Sequence, residues 1–265
     1  MKRLEDIRLF LLDMDGTFYL GDKIFDGSYR FMEKISAAPD KDYLFLTNNS
    51  SKNRFTYAQK ISRMGIATPE EKIFTSGEAA AISLAREQQA AGRPLRVSVT
   101  GTPDLEREIS GAGLLCTDED PDIVLLGFDT TLTYQKLWTL CDHVRAGVRY
   151  IATHPDFNCP TEMGYMPDIG AMIAFVEAST GRRPDEIIGK PYAGIARAVS
   201  EKTGVALEDM AMVGDRLYTD IALGKNAGIT SVMVKTGEST VEDVESGDIK
   251  PDYILEDIGA LAEYI

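Results

Sequence analysis

The chain has 265 residues, 44% of them hydrophobic and 26% charged, with 23 Gly and 11 Pro. That is the make-up of an ordinary globular protein of roughly two domains, and it excludes a disordered or collagen-like chain. With 28 basic residues against 42 acidic ones the formal charge is -14, which works against nucleic acid and anionic membranes as main partners; an anionic substrate would need positive charge gathered locally.

Short apolar runs at 9–12, 43–46, 97–100, 123–126, 151–153, 210–213, 231–234 and 253–255 read as buried strands. Between them, helical spacing predicts helices at 29–37, 55–64, 78–89, 134–146, 171–180, 194–202 and 219–227. This alternation predicts an α/β fold of parallel sheets flanked by helices. Gly65, Gly147, Gly181, Gly204 and Gly228 each follow a helical pattern, where a left-handed closing residue is wanted. Tyr134 and Trp138, one helical turn apart, read as packing of a helix. The three cysteines, Cys116, Cys141 and Cys159, form no C-x-x-C pair, which points away from disulfides or zinc and toward a reducing compartment. No apolar signal region follows the basic start, so a cytoplasmic location is expected.

Chemistry gathers at the ends of four apolar runs. The first, Leu9 to Leu12, runs into Asp13-Met14-Asp15-Gly16-Thr17, two carboxylates at i and i+2 followed by a glycine for the turn. Such acids repel unless a cation joins them, so the pattern suits a hard divalent site beside a nucleophilic carboxylate; taken alone, it also fits an Asp-rich surface turn. The second run ends in Thr47-Asn48-Asn49-Ser50, a hydroxyl and amides able to donate to phosphoryl oxygens, or an ordinary polar turn. The third, Ile187-Ile188-Gly189-Lys190-Pro191, leaves one lysine at its end, a residue more often simply solvated. The fourth ends in Gly214-Asp215, with Asp220 five residues on; helix capping is the plain alternative for both acids. Four strand ends carrying acid, hydroxyl, lysine and acid in that order are hard to explain as turns.

Asp13-x-Asp15-Gly16-Thr17, Thr47-Asn48-Asn49, Gly189-Lys190-Pro191 and Gly214-Asp215 with Thr219-Asp220 resemble motifs I to IV of the haloacid dehalogenase superfamily. The chain is most similar to subfamily IIA, the NagD and p-nitrophenyl phosphatase group. The resemblance implies a Rossmann-like core with a parallel sheet flanked by helices, over 1–75 and 185–265, and an inserted α/β cap of the C2 type over 76–184. It implies a phosphatase of small phosphomonoesters in which Asp13 attacks phosphorus and carries an aspartyl-phosphate while Asp15 serves as general acid and then base. Thr47, Asn48 and Asn49 would hold the phosphoryl group, and Lys190 would offset its charge. Mg2+ would be bound by Asp13, the backbone carbonyl of Asp15, and Asp215, with Asp220 orienting its waters.

The loop at His154, Pro155 and Asp156, with Tyr165 and Met166, would supply cap contacts to substrate; His154 equally fits a hydrogen-bonded loop residue. The implied partner is a small phosphorylated metabolite, with neither nucleic acid nor membrane, and relatives pair through the cap as homodimers. One departure is Tyr192-Ala193 after Pro191, where many relatives carry Asn or Ser and then Pro. Two rivals stand beside the phosphatase. A phosphomutase of the same superfamily usually inserts its cap between the first two motifs, whereas only 31 residues separate Asp15 from Thr47 here. A receiver-like phospho-switch gathers similar residues but fills one small domain.

Overall fold

The computed structural model describes residues 2–161 and 164–265. Along the chain the elements begin β1 (Leu9–Leu12), β2 (Tyr19–Leu20), β3 (Lys23–Ile24), α1 (Asp26–Ala37), β4 (Asp42–Thr47), α2 (Arg54–Arg63) and β5 (Ile73–Thr75). Next come α3 (Ser76–Ala91), β6 (Arg96–Thr100), α4 (Pro103–Gly111), β7 (Leu115–Cys116), β8 (Ile123–Leu126), α5 (Tyr134–Arg145), β9 (Arg149–Ala152), β10 (Asn158–Thr161), β11 (Gly164–Pro167), α6 (Ile169–Thr180) and β12 (Glu186–Ile187). The last are α7 (Ala193–Thr203), β13 (Met210–Gly214), α8 (Ala222–Ala227), β14 (Thr230–Val234), α9 (Val241–Ser246) and β15 (Tyr253–Leu255). By packing they divide into two units, one of Met1–Thr47, Arg54–Phe74 and Lys190–Ile265, the other of Asn48–Asn53 and Thr75–Gly189.

The first unit carries a six-stranded sheet in the order β15-β14-β13-β1-β4-β5, and the pairings from β15 through β4 are parallel. β1, β13 and β14 are buried at every residue, as strands covered on both faces must be. Phe10, Phe31, Phe45, Val213 and Val232 belong to one hydrophobic cluster of this unit. Phe18, just beyond the Asp13–Thr17 turn, is fully buried with its ring edge-on to Phe45 at 4.7 Å, so the turn is fastened to the core.

The second unit has its own parallel sheet, β12-β9-β8-β6-β7, and a core that includes Val124, Leu126, Phe128, Tyr150 and Ile173. β10 and β11 form a separate antiparallel hairpin. Both sheets are of the expected α/β type. The five glycines expected to close helices all have positive φ. None of the three cysteines forms a disulfide among the described residues. Among the described residues no helix is long and apolar enough to cross a membrane.

Two expectations need correcting. Tyr134 and Trp138 do not pack α5: they are 76% and 55% exposed, and the helix buries Leu140, Cys141 and Val144 instead. The helix expected from 219 opens as a π-turn over Leu217–Ile221 before α8. That wider turn buries Thr219 and Asp220.

Replacing Phe18 by Ala removes a fully buried ring and is expected to lower stability to urea by about 3–5 kcal/mol. A loss below about 1 kcal/mol would show that the turn is not held by this packing.

Candidate functional site

β1 lies between β4 and β13 in the sheet, with Leu12 opposite Phe45 on one side and Val213 on the other. The residues that follow, Asp13, Thr47 and Asp215, therefore leave the sheet at the same carboxyl edge, where open α/β sheets bind ligands. The Asp13 backbone N–H donates to the Val213 carbonyl at 2.9 Å, carrying the pairing one residue past the strands.

Lys190 is the centre of this edge. Its side chain is almost wholly buried and Nζ donates to Asp13 Oδ1 at 2.5 Å and to Asp220 Oδ1 at 2.7 Å, with the Leu46 carbonyl at 3.4 Å. Burial alone would pull the lysine pKa down, but the two carboxylates hold it above the ordinary value. Asp220 is itself fully buried; burial pushes its carboxyl up, with Lys190 pulling the other way. Its second oxygen accepts from the Arg216 backbone N–H at 3.2 Å.

Asp215 is not a helix cap. Its Oδ2 accepts from the Glu238 backbone N–H at 2.7 Å and its Oδ1 from the Thr17 hydroxyl at 3.1 Å. Burial and the nearby charge of Asp13 push its pKa up against those bonds. Glycines seat the two acids. A Cβ on Gly237 would come within 2.0 Å of Asp215 Oδ2, one on Gly16 within 2.7 Å of the same atom, and one on Gly214 within 2.3 Å of Asp220 Cγ. Gly16 also has a φ of 87°, the left-handed conformation its tight turn requires.

Asp15 is exposed two residues beyond Asp13, at the turn where the Gly16 N–H donates to the Tyr19 carbonyl at 2.8 Å. Partial desolvation raises its pKa, and so does Asp13, against Lys60, a backbone N–H of Gly21, and Arg216. An acid kept protonated longer than usual is suited to proton donation. Asp13, Asp215 and Asp220 each offer a carboxylate oxygen within 4.8 Å of the others. This all-oxygen, like-charged set fits a hard divalent cation, which would offset both the burial and the mutual repulsion that lift Asp215 and Asp220.

Of the expected site residues, Asp13, Asp15, Thr47, Lys190, Asp215 and Asp220 all belong to the first unit. Asn48, Asn49, His154 and Asp156 belong to the second. Asn48 Nδ2 donates to both Asp156 oxygens at 3.1 and 3.2 Å, and Asn49 Oδ1 accepts from the Ser51 N–H and hydroxyl. His154 is fully buried, with Nε2 3.0 Å from Asp168 Oδ1 and Nδ1 3.2 Å from the Thr153 hydroxyl. With Asp156 and Asp168 it makes a second group of close ligand atoms, but Asp168 Oδ1 also accepts from Ile169 N at 2.7 Å, so these bonds serve the fold of the loop.

Sequence reasoning passed over Arg216, Gly237 and Glu238. The rule that chemistry follows a buried strand applies to the loop after β14 as well, and would have brought Thr236 to Glu238 into view.

Similarity to known proteins agrees with this geometry. The haloacid dehalogenase-like hydrolase family matches over residues 10–115, and a HAD-hydrolase-like family over 187–261. An acid sugar phosphatase of Staphylococcus epidermidis is 35% identical over 98% of this chain and 99% of its own. The crystal structure of a 4-nitrophenylphosphatase from Thermotoga maritima superimposes with a TM-score of 0.90 at 47% identity, covering 98% of each chain. A glycerol phosphate phosphatase from Mycobacterium tuberculosis, solved in complex with magnesium, gives a TM-score of 0.87 at 30% identity over 98% of this chain and 78% of its own. The chain thus belongs to the haloacid dehalogenase-like hydrolases, in the NagD-like subfamily IIA, and is a phosphatase of that family.

Substituting Gly237 by Ala would drive a methyl group into Asp215. Divalent-cation affinity, measured by calorimetry on the purified protein, is expected to fall by about 10–100-fold. Unchanged affinity would remove Asp215 from the cation site.

Proposed function

We propose that the protein hydrolyses small phosphomonoesters in a Mg2+-dependent reaction through an aspartyl-phosphate on Asp13. The observation that carries this reading is the convergence of Asp13, Asp215 and Asp220 around the buried Lys190, with Asp15 two residues from Asp13. Asp13, Asp215 and the backbone carbonyl of Asp15 would hold the metal ion, which when bound supplies charge neutralisation to the phosphoryl oxygens.

The protein's own residues do the rest. A carboxylate oxygen of Asp13 attacks phosphorus as the ester P–O bond breaks, and Asp15 gives its proton to the departing oxygen. Water then attacks the phosphorus of the acyl phosphate, Asp15 takes a proton from it, and Asp13 is released with free phosphate. Lys190 faces Asp13 throughout and offsets the negative charge brought by the phosphoryl group. Asp220 fixes Lys190 from behind, since its Oδ1 accepts from that ammonium while Oδ2 is held by the Arg216 N–H. The Thr47 hydroxyl, at the end of β4, would donate to a phosphoryl oxygen.

The substrate-binding roles of Asn48, Asn49, His154 and Asp156, a cap role for the second unit, a small phosphorylated metabolite as partner, pairing through the cap and a cytoplasmic location belong to the same proposal and rest on the family resemblance. Membership of a hydrolase family favours this reading over a phospho-switch.

p-Nitrophenyl phosphate provides the test. Hydrolysis is expected with Mg2+, to be abolished by chelator and restored by added Mg2+. Asp13→Asn is expected to lower kcat by at least about 10⁴-fold. Substantial turnover by that variant would reject Asp13 as the nucleophile.

A further inference from the structure

Thr47 and Lys190, the two residues set to face the phosphoryl group, each stand one peptide bond from the second unit. That unit takes up the chain at Asn48, directly after Thr47, and last hands it back at Gly189, directly before Lys190. These two neighbours are packed on one another. A Cβ on Gly189 would come within 2.6 Å of Asn48 Oδ1 and of the Thr153 carbonyl oxygen, and within 2.9 Å of His154 Cβ, so the position admits only glycine. The Gly189 N–H donates to the same Thr153 carbonyl at 2.8 Å.

A buried polar chain within the second unit holds both neighbours. The Ser76 hydroxyl donates to the Asn48 carbonyl, and the Asn48 side-chain amide is tied to Asp156. Two residues on, Ser50 Oγ accepts from the Phe128 N–H at 2.9 Å and lies 2.9 Å from the Thr153 hydroxyl. Thr153 Oγ1 is 3.2 Å from His154 Nδ1, and His154 Nε2 is 3.0 Å from Asp168 Oδ1. Ser76 Oγ lies 3.5 Å from the same Nδ1. Ser50, Ser76, Thr153, His154 and Asp168 are all buried. Each hydroxyl has one proton to give, and a carboxylate only accepts. With one proton on its ring, His154 therefore donates from Nε2 to Asp168, Thr153 donates to Nδ1 and Ser50 donates to Thr153, while the Ser76 proton goes to Asn48.

Taking these groups out of water is costly, and an apolar core would hold the second unit together without that cost. What a fully satisfied polar network adds is one fixed arrangement of its members. Here the fixed members are the segments that run directly into Thr47 and Lys190. We propose that Ser76 and His154 are positioning residues for phosphoryl binding: without touching substrate they set Asn48, Ser50 and Gly189, and through these the Thr47 hydroxyl and the Lys190 ammonium. This rests on the phosphatase reading and gives His154 its part in substrate binding at one remove. Asp13, Asp15 and Asp215 follow β1 and β13 of the first unit and are seated by that unit's own strands and turns. The network therefore bears on phosphate and not on the cation.

Calorimetry on the purified full-length protein tests this, with inorganic phosphate in the presence of Mg2+ as one probe and Mg2+ alone as the other, beside hydrolysis of p-nitrophenyl phosphate. Ser76→Ala removes one oxygen atom, and His154→Gln keeps a donor for Asp168 while losing the acceptor at Nδ1. At a temperature where circular dichroism shows them folded, each is expected to weaken phosphate binding about tenfold and to lower kcat/KM at least as far, because misplacing a binding group by about 1 Å costs that much or more. Mg2+ affinity is expected to stay as in the parent. Parent-like phosphate affinity in either folded variant, or equal losses of phosphate and Mg2+ affinity, would overturn this inference and leave the phosphatase reading intact. If His154→Gln does not fold, Ser76→Ala decides alone. A parent protein that hydrolyses no p-nitrophenyl phosphate would overturn both.

Discussion

One buried ammonium between two carboxylates organises the site. Lys190 lies 2.5 Å from Asp13 and 2.7 Å from Asp220, and the side chains of Lys190 and Asp220 are almost completely withdrawn from solvent. Desolvating such groups is costly, and their attraction repays the cost only if every partner is in place. Asp13 comes from the end of β1, Lys190 from the chain just after Gly189, and Asp220 from the π-turn after β13. The parallel register between β1 and β13 puts two of these arrivals side by side, so the sheet is the device that makes the ion cluster affordable.

Around that cluster the acids are over-supplied relative to the cations. Of Asp13, Asp15, Asp215 and Asp220, only Asp13 and Asp220 contact Lys190 directly, and the carboxyls of Asp15, Asp215 and Asp220 are raised mainly by burial with Asp13 adding to it. A divalent cation would answer this imbalance for Asp13 and Asp215, the pair the glycine-lined seat brings close.

Much of this was legible in the sequence because buried parallel strands write themselves as continuous apolar runs. Leu9 to Leu12 and Met210 to Val213 are such runs, the first followed at once by Asp13 and the second, after Gly214, by Asp215, so both the strands and their chemistry could be read together. The glycines after helices were legible for a similarly local reason, their left-handed conformation. Short elements left no such mark: β5 has three residues, and the β2–β3 pair two each. α4 was missed although Thr102 and Pro103 carry the capping pattern, because its apolar stripe is only Leu105 and Ile109. Tyr134 and Trp138 misled because aromatic residues a turn apart look like core, and nothing in one sequence says which face of a helix is covered. The bonds of Arg216 and Glu238 bring together residues 22 positions apart, and spacing alone does not reveal that loop meeting.

The central claim is that Asp13 and Asp215, one from each half of the chain, share a single divalent cation beside the attacking oxygen. A crystal structure determined with Mg2+ tests it most directly. The account expects one octahedral ion coordinated by carboxylate oxygens of both residues, with Lys190 still on Asp13. An ion bound by only one of them, or elsewhere in the molecule, would contradict it.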